Sequence, residues 1–331
     1  MTRGFLNSIQ DYPEYRSSEK NWHVTLDLSN FFWYDLIVNP PENTLKSIKS
    51  YLNDFKDYVE KTNEKKFIYF FTSRKKVRFN IEKQPKFYWL DKSIMSIDGL
   101  VENKIKKKFE IKLPKDNIPD KVCVDEKFIY FYYGKNVISY SVHDFIKICN
   151  INLGITSEIH YIGITSDPVK RTLSRVHRGY ADMLYHVSTS ENDIFLTINT
   201  FKVASHTSIE SRGLNIISTN SMIYDVDWEK EGSIIEKALI YYFNAKCQHV
   251  DKNAWGEFRN LLGVEMKDKN IKSVSFHLEL NEPTEYDIIG SQDIPPNLSH
   301  SFRWELVDGE PKLFKFDSEI SLMKDNNVLV K

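Results

Sequence analysis

Apolar residues recur at helical intervals in one stretch of the first 120 residues and at strand-like density around it. Leu45, Ile48, Tyr51, Leu52, Phe55, Tyr58 and Val59 stand three and four apart, the stripe of an amphipathic helix over Leu45 to Val59. Lys66 to Phe79 and Phe87 to Leu90 are rich in aromatic and β-branched residues, which suit a pleated surface. Lys66-Phe67-Ile68-Tyr69-Phe70 is echoed by Lys127-Phe128-Ile129-Tyr130-Phe131, and each copy runs through a polar turn into a second apolar run. Two hairpins of similar make are expected; without a third copy there is no repeat architecture.

From about 120 to 265 the pattern alternates. Strands are predicted over Phe128 to Tyr133, Val137 to Val142, His160 to Thr165, Ile194 to Val203 and Met222 to Val226, and helices over Val169 to Leu184 and Ser233 to Lys246. That is an α+β unit with antiparallel elements. From Ser273 an acidic tail carries a strand, a loop around Pro295-Pro296 and a hairpin turning at Asp308-Gly309.

Composition adds limits. Hydrophobic residues make up 41% and charged residues 27% of 331, enough apolar material for a core and a length that suits two domains or one large domain with extensions. A net charge of −1 excludes a general attraction for nucleic acid, so a polyanion site must be a local patch. Cys123, Cys149 and Cys247 match no zinc spacing, and no apolar run approaches the ~18 residues that span a bilayer. With no signal-peptide pattern at Met1 to Phe5, a soluble cytoplasmic protein with no membrane partner is expected. Lys104-Ile105-Lys106-Lys107-Lys108 reads most simply as a solvated edge or loop; the sharper reading is a phosphate-contacting arm.

Two places carry chemistry. Tyr161-Ile162-Gly163 ends a strand, Asp167 caps a helix opened by Pro168, and Arg171 lies in its first turn. At about 100° per residue, Arg171, Arg175 and Arg178 share the face opposite Val169, Leu173, Val176 and Leu184. A guanidinium there can grip a phosphate with two parallel hydrogen bonds, although any amphipathic helix needs a polar face. His177 borders the apolar stripe, where a packed histidine is the blander reading. Farther on, Glu236 interrupts the greasy run Ile234 to Phe243. Ser233 three residues earlier makes a capping box with it, and taken alone Glu236 reads as a cap. Taken with the arginine pattern it reads as a metal ligand, because a carboxylate on an apolar face needs a counter-charge.

Tyr161-Ile162-Gly163, Arg171 ten residues on, and Glu236-Lys237-Ala238-Leu239-Ile240 together resemble the GIY-YIG nuclease superfamily over residues 120 to 265. The resemblance implies a GIY-YIG-like domain with a small, three-stranded antiparallel sheet flanked by helices. It implies hydrolysis of DNA phosphodiesters with Mg²⁺ or Mn²⁺ held by Glu236, RNA being left open as a substrate. Arg171 would hold the scissile phosphate, Tyr161 would act as base or orienter, Gly163 would let backbone approach closely, and Arg178 would touch substrate. Arg175 takes the place of the family's second basic residue, with His177 close by. No Gly-Ile-Tyr lies shortly before Tyr161; Tyr133 and Tyr140 are candidates for that first tyrosine. The asparagine after the glutamate helix has no clean equivalent, Gln248 and Asn253 both standing nearby.

The expected plan is therefore a β-rich recognition domain over 1–120, the nuclease domain over 121–265 with an insertion at 187–231, and a β-hairpin extension over 266–331. A restriction or anti-phage role suits such a plan by analogy, and a homodimer would allow both strands to be cut. The competing expectations are an inactive nucleic-acid-binding module of this type and a protein adaptor.

Overall fold

The computed structural model describes residues 4–41, 44–61, 67–173, 178–209, 213–248 and 252–325. Its centre is a nine-stranded mixed sheet built from β1 (Glu19–Trp33), β2 (Phe67–Lys75), β3 (Ser157–Thr165), β4 (Asn192–Ile209), β5 (Leu214–Thr219), β6 (Ile271–Leu278), β7 (Ile289–Gly290), β8 (His300–Val307) and β9 (Glu310–Phe316). The order is β7-β3-β2-β4-β1-β6-β8-β9, with β5 paired to β4. The β3-β2-β4-β1 run is antiparallel throughout, β1 and β6 are parallel, and β6-β8-β9 is antiparallel again. The chain is thus α+β, and strands of all three expected stretches share one sheet. Composition marks where strands occur; it does not mark which strands pair.

β2 explains the centre. Phe67-Ile68-Tyr69-Phe70-Phe71 is apolar on both faces and wholly buried, as a strand covered on two sides must be. Phe67, Tyr69 and Phe71 join Tyr34, Leu196 and Ile198 on one face, under α1 (Thr44–Lys61) and Met183 of α4 (Arg178–His186). Ile68 and Phe70 point the other way, onto Ile162 and onto Ile234, Ile235, Ala238 and Leu239 of α5 (Trp228–Phe243). α6 (Lys252–Asn260) adds Phe258 to that second layer.

Between β2 and β3 the chain leaves the sheet and makes two smaller ones, of four strands (Val77–Phe79, Lys86–Phe87, Ile94–Val101, Ile105–Lys112) and three (Lys121–Val124, Phe128–Tyr133, Asn136–Ser141). Helix α2 (Val142–Ile148) then closes a separate core around Phe79, Phe131 and Phe145. A buried polar knot ties this excursion to the sheet. The Asp193 carboxylate accepts from both Arg78 guanidinium nitrogens (2.8 and 2.9 Å) and from Val77 N–H (3.0 Å), and it contacts His143 Nε2 at 3.0 Å. Arg74 donates to Glu285 Oε1 at 2.5 Å, and its guanidinium lies 3.9 Å from the Tyr286 ring centroid.

Several expected elements change in detail. Of the two echoed segments, only Phe128–Tyr133 is a hairpin arm, turning at Gly134; Phe67 to Phe70 lies in the central strand β2. Two covering helix layers make that difference. Met222 to Val226 is not a strand. Asn220–Ile223 forms a helical turn, and the Asn220 side chain bonds the backbone of Val226, replacing a strand partner. The hairpin at Asp308-Gly309 stands as read, both residues having positive φ (51° and 79°). Lys104 to Lys108 leads into an exposed strand paired on one side to Ile94–Val101, an edge as the simpler reading had it. No described helix is long and apolar enough to cross a membrane.

Candidate active site

β2 and β3 run antiparallel with Tyr69 opposite Gly163, Phe70 opposite Ile162 and Phe71 opposite Tyr161. That register exists because His160 is an extra residue: Ile159 faces Thr72 and Tyr161 faces Phe71, a one-residue bulge. The extra residue turns Tyr161 onto the Tyr69 face while Ile159 and Ile162 both stay in the opposite core. His160 is 3% exposed and its Nε2 lies 2.7 Å from Ser73 Oγ, which pins the bulge to β2. Beyond the bulge, Ile162 N–H donates to Gln248 Oε1 at 2.9 Å. Gln248, one of the two candidates at the end of the glutamate helix, therefore braces the strand; the side chain of the other, Asn253, lies outside the described residues.

Gly163 makes room for a phenol. The Tyr69 ring lies across it so closely that a Cβ there would collide with the ring and its hydroxyl. Tyr161 stacks beside Tyr69, centroids 6.1 Å apart at 25°, and the two phenols are hydrogen-bonded. Arg171 sits over the same ring, its guanidinium carbon 5.0 Å from the centroid. Its helix, α3 (Pro168–Leu173), is capped as the sequence indicates: Lys170 N–H donates to Asp167 Oδ1 at 3.0 Å.

Glu236 arrives from the other side. α5 begins at Trp228, capped by Asp227, whose carboxylate accepts from Glu229 N–H at 2.7 Å. Ser233 is inside the helix and donates to Glu229 O at 2.9 Å, so the alternative of a capping box is excluded and Glu236 is not a cap. The helix packs on the Ile68, Phe70 and Ile162 face, opposite Arg171. Among the described residues β7 pairs with β3 only at Ser157 and Glu158, so β3 is an edge strand at Gly163. Burial pushes the Tyr69 pKa well above the usual phenol value; Tyr161 raises it further, Arg171 opposes, and the half-buried Glu236 carboxylate adds to the rise.

The tyrosine that stacks beside Tyr161 is Tyr69, not Tyr133 or Tyr140. Tyr140 and Tyr133 belong to the small three-stranded sheet and pack in the separate core, Tyr140 with its centroid 6.2 Å from that of Phe131. Tyr69 precedes Tyr161 by 92 residues, and the Ile68-Tyr69 pair at the start of an apolar strand was the available signal. Arg175 and His177 lie outside the described residues; Arg178 opens α4, with its side chain outside them too.

Among the described residues, no three His, Cys, Asp or Glu side chains gather as a metal-binding group. Mg²⁺ commonly takes one or two carboxylates and fills its remaining positions with water and substrate phosphate. The half-buried Glu236 could supply such an ion with one carboxylate ligand. No family model, curated protein or solved structure matches the chain.

Proposed function

We infer that the chain is a metal-dependent endonuclease of the GIY-YIG type that hydrolyses DNA phosphodiesters. The observation that carries this reading is the packing of Tyr69, Tyr161 and Arg171 over Gly163, with the Glu236 carboxylate acting electrostatically on the Tyr69 phenol from the other face of the sheet. Hydrolysis adds water to phosphorus, breaks one P–O ester bond and leaves a phosphomonoester and an alcohol. Arg171 would hold the non-bridging oxygens, where negative charge grows in the transition state. Tyr161, half-buried and stacked beside the buried Tyr69, would orient the attacking water or take its proton. The Tyr69 phenol, its pKa raised, stays protonated at neutral pH and would hold Tyr161 in place. A divalent ion at Glu236, Mg²⁺ or Mn²⁺, would supply positive charge and polarise the phosphate.

That raised phenol, with its single carboxylate, also favours a second reading: a module of this type that binds nucleic acid without cutting it. Plasmid incubated with Mg²⁺ or Mn²⁺ separates the two. The expected result is nicking by the wild type and none by Glu236→Ala, which still retards DNA. Supercoiled plasmid left intact by the wild type with either ion would overturn the nuclease.

A further inference from the structure

The four-stranded sheet between β2 and β3 is basic out of proportion to the rest of the chain. Residues 75–115 hold twelve Lys and Arg against five Asp and Glu, a balance of +7 in a chain of net −1. Few of these cations are neutralised locally. Lys75 pairs with Glu102 (3.0 Å), Lys83 with Asp98 (2.7 Å), Lys108 with Glu110 (3.5 Å) and Arg78 with Asp193 (2.8 Å). Lys76, Lys86, Lys104, Lys106, Lys107 and Lys112 make no ion pair among the described residues, and all but the half-buried Lys76 are exposed. Like charges crowded on one small sheet repel one another and lower stability, so an uncompensated cluster suits an anionic partner.

Two further features give that partner a shape. A cavity of about 890 Å³ opens where this sheet meets the main one, with Lys76, Lys104 and Lys106 in its wall. Asp35, Glu82, Glu126 and Asp193 face it as well, but Lys127 and Arg78 neutralise the first and last of these. Tyr34 and Ile194, also in the wall, belong to the same core and sheet face as Tyr69. From Tyr69 to Lys75, β2 advances about 20 Å at ~3.3 Å per residue, which corresponds to about six base pairs at ~3.4 Å each. At the tip of the sheet Trp89 and Leu90 are each 91% exposed beside Tyr88. An indole held out in water among lysines is a platform for base stacking.

We propose that the four-stranded sheet is a nucleic-acid-binding surface, its lysines gripping the backbone of the DNA that passes Tyr69 and Arg171. The choice of DNA rests on the nuclease reading of the Tyr69 site; the basic surface does not. Backbone contacts by lysine release counterions and carry no sequence preference, so the surface would set affinity and register.

The test is fluorescence anisotropy of a labelled 30-base-pair duplex and a single strand, titrated between 50 and 200 mM salt, in parallel with vesicles of phosphatidylcholine and phosphatidylserine. Lys104, Lys106, Lys107 and Lys112 changed together to Ala should lower the slope of log K against log salt by about 3 to 4 on duplex, at ~0.9 per lost phosphate contact. Trp89→Ala should weaken single-strand binding by about tenfold. An unchanged unfolding midpoint in the lysine variant establishes that it folds. No binding of DNA by the wild type, an unchanged slope in the folded lysine variant, or vesicle binding without DNA binding would overturn the proposal. Lysine-dependent binding with no cleavage would support the surface and remove the nuclease.

Discussion

Gly163→Ala tests whether Tyr69 must lie where it does. Gly163 does not have the positive φ that would favour glycine on backbone grounds, so alanine costs nothing there in conformation. Losing glycine's freedom in the unfolded chain would even add about 0.4–1 kcal/mol of stability. Space opposes it: the added Cβ meets Tyr69 Cε1 at 2.9 Å and crowds Cζ and the hydroxyl still more. Carbon atoms pack best at about 3.5–4.0 Å, so the ring must retreat by about 1 Å. It has little room, with Phe71 edge-on at 6.1 Å, Tyr161 stacked alongside and Arg171 above. Overpacking of this kind costs about 1–3 kcal/mol, which leaves a net loss of about 1–2 kcal/mol and a melting point lower by a few degrees. The catalytic effect should be larger, because a misplacement of about 1 Å can cost about 10²-fold in rate. Plasmid nicking measured beside thermal unfolding reads both quantities. Tyr69→Ala in the same chain should relieve the clash, so the double variant is less destabilised than the single effects sum to. Wild-type turnover and melting point in Gly163→Ala would refute the argument, since the phenol would then not be held over the glycine.

Two other outcomes follow from the same geometry. Arg171→Ala should lower kcat by about 10²–10³, the loss of about 2.7–4 kcal/mol seen when one donor to a developing oxyanion is removed; a fall below threefold at saturating DNA would take Arg171 out of the reaction. Burial, helped by Lys246 and His186, lowers the His160 pKa to about 4, below the ordinary value of about 6.5. The unfolded chain then binds the proton first, so stability is full above about pH 6.5 and falls towards about pH 4, by about 3 kcal/mol from this group alone. His143 and His300, also lowered chiefly by burial, steepen the fall. His160→Gln can keep the bond to Ser73 without the titration, so urea midpoints between pH 7 and pH 4.5 should vary less in that variant; an equal dependence would place the effect elsewhere.

Some of this was legible in the chain because it is local. Asp167-Pro168 specifies a helix start through one side chain and one ring, and Asp308-Gly309 specifies a turn through two residues of positive φ. The helix over Leu45 to Val59 is set by its own stripe. What escaped was set at a distance. Tyr69 looked like part of an N-terminal hairpin because its neighbours are as apolar as those of Phe128–Tyr133, and only the layers above and below separate a central strand from a hairpin arm. Its partner strand lies beyond a long excursion whose two sheets fold on their own core, so sequence distance from Tyr161 gave no guide to spatial distance. The capping box that the Ser233 to Glu236 spacing offers as an alternative does not form, for a related reason: that pattern is local, but helix α5 starts five residues earlier, at Asp227-Trp228. Most instructive is His160. Counted by strict alternation, Tyr161 shares the face of Ile159, against α5, and could not meet Tyr69. The bulge reverses the alternation, and nothing in Glu158-Ile159-His160-Tyr161 announces it; it becomes visible only when Ser73 of β2 is laid beside the imidazole. The convergence on which the functional reading depends is thus a product of strand register, fixed by a pair of residues 87 apart in the chain.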